Sequence, residues 1–124
     1  MRDLENAIDI AQSLAPAART ATANGTGVDL ANYNGAVVVF AVGTITDGTH
    51  TPKIQESDDN STFTDVAAAD QIGTFANLAS STPQKVGYVG SKRYLRAVST
   101  VTGATTGGVY GAVVVRGYAR KQPR

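Results

Sequence analysis

The sequence predicts an all-β fold: an antiparallel β-sandwich or small barrel of about eight strands. Three observations lead there. Valine, threonine and alanine dominate the 124 residues, and 13 glycines punctuate them. Branched Cβ atoms pack well on a pleated surface, and glycine supplies the turns between strands. Turn signals recur about every 8 to 12 residues, the spacing that sandwiches and small barrels show. No strand alternates with a long helical pattern, so a βαβ architecture is not expected.

Taken in order, residues 1–16 read as an N-terminal arm. Leu4, Ile8, Ala11 and Leu14 share one face at helical spacing, whereas Ile8 and Ile10 alternate as in a strand. Pro16 stops a helix from continuing. In either form the segment has too few apolar residues to fold alone. Leu4, Ile8, Ile10 and Leu14 are therefore the expected protein-interaction residues, held by contacts outside their own domain.

The domain proper is expected over 17–119, followed by a basic tail at 120–124. Residues 17–23 read as a strand and Asn24-Gly25 as a hairpin turn. Residues 28–30 form a short strand, and Tyr33-Asn34-Gly35 turns the chain again. The run 36–42 is continuously apolar and rich in valine, which predicts a central strand buried on both faces. Asp47-Gly48 turns into a strand over 51–56, where Pro52 marks an edge or a strand start. Residues 57–60 turn into 62–66, and 67–79 leaves room for a short helix near 68–72. Strands over 86–89, 93–100 and 109–118 complete the set. In the second of these, Tyr94, Arg96 and Val98 share one face and Leu95 and Ala97 the other.

Charge and composition narrow the function. The net charge is +1, and the basic residues concentrate only at Arg116, Arg120, Lys121 and Arg124. A nucleic-acid binder needs a basic face to displace counterions, so this cluster reads as a solvated chain end and no nucleic-acid partner is expected. No apolar run approaches the roughly 18 residues of a membrane span, and no signal peptide is recognisable. Cysteine is absent, which removes disulfides, thiol catalysis and thiolate-bound zinc together. A small domain without such staples gains stability by association.

The candidate chemical sites each have a simpler reading. Glu56, Asp58, Asp59, Asn60 and Asp65 could attract calcium, but the glycine and terminal glutamate of a calcium loop are missing. The cluster reads as a turn, and no metal is expected. His50 is the only histidine and lies in Gly48-Thr-His-Thr-Pro52, an expected exposed loop with no nucleophile motif nearby. Residues 103–108 are glycine-rich, yet no Gly-Lys-Ser/Thr follows, so they read as a hairpin between the last two strands. Tyr33, Tyr88, Tyr94, Tyr110 and Tyr118 read as half-buried sheet residues with wet hydroxyls. No catalytic residue and no cofactor site is expected, and the chain reads as a non-enzymatic protein.

Several stretches carry a resemblance: residues 12–22, 24–30, 46–53, 55–60 and 92–96. Gln55-Glu-Ser-Asp-Asp-Asn60 and Lys92-Arg-Tyr-Leu-Arg96 are examples. The chain resembles small structural proteins of tailed bacteriophages, typically encoded beside the major capsid protein. That resemblance implies a capsid decoration, or cement, protein, made in the host cytoplasm and bound to the outside of the head. Its implied partner is the major capsid protein, and its implied assembly a homotrimer at three-fold positions, joined through the arm and strand edges. A carbohydrate-binding or adhesin module is one alternative, and a head-tail connector or tail component another.

Overall fold

The computed structural model describes residues 8–31 and 33–119. Ten strands run through them: β1 (Ile8–Arg19), β2 (Ala23–Asn24), β3 (Val28–Asp29), β4 (Tyr33–Ile45), β5 (Thr49–Ser57), β6 (Thr64–Asp65), β7 (Gln71–Ile72), β8 (Gln84–Tyr88), β9 (Tyr94–Thr102) and β10 (Gly108–Ala119). One sheet has the order β1-β10-β4-β8-β7. In the other, β9 is flanked by β2 and β3 on one side and by β5, then β6, on the other. Every pairing is antiparallel. The all-β sandwich expected from the sequence is the observed fold. The short helix foreseen near 68–72 is a single 3-10 turn, Ala68–Asp70.

Strand alternation builds the core. Val38 and Phe40 of β4, Ala112 and Val114 of β10, and Val86 and Tyr88 of β8 point inward from the first sheet. They meet Ile54 of β5 and Leu95 and Ala97 of β9, all essentially without solvent exposure. Phe40 meets Phe75 edge-on, with ring centroids 5.2 Å apart.

Residues 8–16 correct the expected boundary between arm and domain. They are the first part of β1, whose ladder on β10 runs from Ile8↔Gly117 to Arg19↔Gly108. Two register shifts, between Gln12 and Leu14 and between Leu14 and Ala17, bend the strand where Pro16 lacks an N–H. The bend drops Leu14 into the core at 3% exposure, so its partners lie within the domain. Ser13 fastens the same point to the second sheet. Its hydroxyl donates to the Thr26 carbonyl at 2.8 Å and accepts from the Ala97 N–H at 2.9 Å. Leu4, with the rest of residues 1–7, and the basic tail at 120–124 lie outside the described residues.

Other local expectations change as well. Asn24-Gly25 is not a hairpin turn: Asn24 pairs with Val98, and Gly25 crosses so close to Ser13 that a Cβ would lie 2.3 Å from its Oγ. Tyr33 to Gly35 open β4 instead of turning the chain. Residues 103–108 join β9 to β10, strands of different sheets, so they form a corner and not a hairpin. Pro52 does sit at an edge, since β6 covers β5 only at Gln55 and Glu56. The valine run of β4 is central in its sheet, but only one of its faces is buried.

Candidate interaction surface

The sole histidine is the first surprise. His50 is 1% exposed, because Thr49, His50 and Thr51 belong to β5, and alternation turns His50 inward with Pro52 and Ile54. Its Nδ1 lies 2.9 Å from the Tyr110 hydroxyl, and its Nε2 lies 3.0 Å from the Asp47 carbonyl. The same hydroxyl lies 2.7 Å from Ser99 Oγ. The trio joins β5 and β9 of one sheet to β10 of the other, with each member at 1% exposure or less. No substrate reaches Ser99, so the arrangement works as an inter-sheet clamp. Tyr110 is therefore fully buried, not half-wet, and burial pushes its phenol pKa up.

The acidic residues are similarly engaged. The Asp47 carboxylate accepts from the N–H groups of Thr105, Thr106 and Gly107, closing the corner into β10. Those bonds, led by Gly107 and Thr106, hold its carboxyl below the usual aspartate range. Asp59 accepts from the N–H groups of Thr62 and Ser61 and from the Ser57 hydroxyl, which lower its pKa in the same way. This side-chain-to-backbone bonding builds the expected turn, with Asn60 in the left-handed region at φ 60°. Among the described residues, no group of three or more metal-ligating side chains converges.

A cleft of about 360 Å³ opens at one end of the sandwich, lined in part by Tyr33, Tyr88, Lys92 and Arg93. Its charged and phenolic groups already have partners. Lys92 Nζ meets Asp58 at 2.8 Å, and Arg93 holds Asp29 through two nitrogens at 3.0 and 2.9 Å. The Arg93 bonds and the Ala31 N–H lower Asp29 to about 2. The buried Tyr88 hydroxyl donates to Glu56 at 2.7 Å, and the Tyr33 hydroxyl donates to Asp9 at 2.9 Å. Arg116 lies 4.7 Å over the Tyr33 ring and also bonds Asp9. An aromatic platform for sugars needs a free ring face, and these tyrosines are occupied.

The outer face of the first sheet differs in kind. Register places Ile10, Val115, Val37, Gly87 and Ile72 in one row across all five strands, all on the side away from the core. The next row is Gln12, Val113, Val39 and Lys85, and beyond it Gly111 lies beside Ala41. Ile10 is 58% exposed and Ile72 65%. Over β1, β10 and β4 these outward positions carry no formal charge. A trough of about 300 Å³ runs along Gly111, Ala41 and Gly43, with Pro16 on one wall.

The expected interaction residues therefore part company. Leu14 is core, Ile10 lies on the open face, half-buried Ile8 pairs with Gly117, and Leu4 lies outside the described residues. Val37, Val39, Val113, Val115 and Ile72 belong to the surface although sequence reasoning did not single them out. No family model matches the chain, and no curated protein matches it.

Proposed function

We propose that this is a non-enzymatic structural protein of a tailed-phage virion, a capsid decoration protein that binds the outside of the head and reinforces subunit joints. The observation that carries the assembly role is the contrast just described. The polar groups of the candidate sites are bonded to one another inside the domain, while a broad sheet face, uncharged over β1, β10 and β4, is left open among the described residues. Exposed apolar patches of that kind mark protein–protein contact. The resemblance along the chain directs that contact to a phage head and to the major capsid protein as partner.

The mechanism is mechanical. A rigid body held by inter-sheet bonds, such as those of Tyr110 and Ser13, transmits load between two capsid subunits without deforming. A ligand that binds only the assembled lattice stabilises it by mass action, by about 2.7 kcal/mol per site at a hundred times Kd. The test is gold labelling of intact virions with an antibody raised against the purified protein. Label spread over the head supports the reading. Label confined to the tail, or none on virions, overturns it.

A further inference from the structure

We infer that the outer face of the β1-β10-β4-β8 sheet is covered by a second copy of this chain, in a two-fold, face-to-face pair. The inference rests on reading the domain as an assembly protein and names the occupant of its open face.

The sequence makes the first argument. The run Ala36 to Val42 is apolar at every position, the pattern of a strand buried on both sides, yet the described residues bury only the side holding Val38 and Phe40. Its neighbour β10 repeats the pattern, with Val113 and Val115 outside and Ala112 and Val114 inside. Two adjacent central strands thus carry an outward apolar set for which the described residues supply no lid.

Shape and charge then select the occupant. The row through Val115 and Val37 is a ridge of branched side chains, and the row through Gly111 and Ala41 is a trough. They lie equally far, two residues, on either side of the row through Val113 and Val39. A two-fold axis running along that middle row lays the ridge of each copy into the trough of the other. The isologous contact closes on itself and leaves no free end for fibre growth. The outward positions of β1, β10 and β4 bear no formal charge, so like charges meet only where the axis row reaches β8 and Lys85 comes opposite its own copy. That pair lies at the exposed rim, where long stems let the two ammoniums turn apart into water.

Size is sufficient. Four strands about 4.8 Å apart and roughly nine residues long at about 3.4 Å each cover roughly 500 Å² per copy. Two copies bury roughly 1,000 Å², the lower bound for a specific interface. A three-fold axis cannot set one sheet face against itself, so this surface departs from the trimer that the resemblance implies.

The experiment is sedimentation of the full chain at tens of micromolar with no capsid present. The expected mass is twice 12.8 kDa. Ala41→Glu places a charge in the trough at an exposed position and should give a monomer with unchanged circular dichroism, whereas Lys53→Glu on the opposite sheet should leave the pair intact. A wild-type monomer or trimer overturns the inference, as does a dimer that survives Ala41→Glu or dissociates with Lys53→Glu. The decoration reading fails separately, because head labelling is indifferent to the free protein's mass.

Discussion

Tyr110 shows how a single atom ties the two sheets together. The Asp47 carbonyl can only accept, so His50 Nε2 carries the proton it donates. With Nδ1 unprotonated, it accepts from the Tyr110 hydroxyl, and Ser99 in turn donates to Tyr110. Tyr110→Phe keeps the ring against Phe40 and His50 but strands two buried polar groups. Each costs on the order of 1–3 kcal/mol. Urea denaturation should show a clearly lower midpoint with an unchanged slope; a variant as stable as the parent would refute the clamp. The sequence concealed this site because Thr49 and Thr51, which make His50 look like a loop residue, are the outward positions of a strand. The inward series His50, Pro52, Ile54 was legible only to someone who trusted alternation over polarity.

At the scale of an element, β1 is where sequence reasoning went furthest astray. Its first half satisfies helical and strand spacing equally, and Pro16 with its bulges hides the continuity to Arg19. Reading residues 1–16 as a detachable arm implies a folded domain after deletion of 1–14. The structure implies the opposite. That deletion removes Leu14 from the core, leaves the Ala97 N–H without Ser13, and bares the edge of β10. An exposed apolar edge invites uncontrolled pairing. The truncated chain should therefore aggregate or lose its strand signal in circular dichroism; a soluble, cooperatively melting product would restore the arm. Strands without such ambiguity were legible. The runs giving β4, β5, β9 and β10 were each recognised to within a few residues, because valine runs mark β4 and β10 and turn residues bracket β5 and β9.

Across the whole molecule, β4 is the strand on which fold and assembly divide. Adjacent residues of it face different worlds: Val38 is wholly buried, whereas Val37 stands in the outward row with Val115 and Gly87. The sequence announced the apolar run but could not separate its two faces, because the row from Ile10 to Ile72 exists only once five strands are in register. Two neighbouring substitutions make that separation measurable. Val38→Asp buries a carboxylate with no cation beside it, a cost of several kcal/mol and a large part of the roughly 5–15 kcal/mol that holds a domain folded. It should abolish the thermal transition. Val37→Asp introduces the same group one residue away, where it can turn to water, and should lower stability by no more than about 1–2 kcal/mol. Calorimetry on both variants, run dilute so that association does not contribute, gives the comparison. Equal loss at the two positions would mean that β4 is enclosed on both sides within one chain, and the open face would not exist.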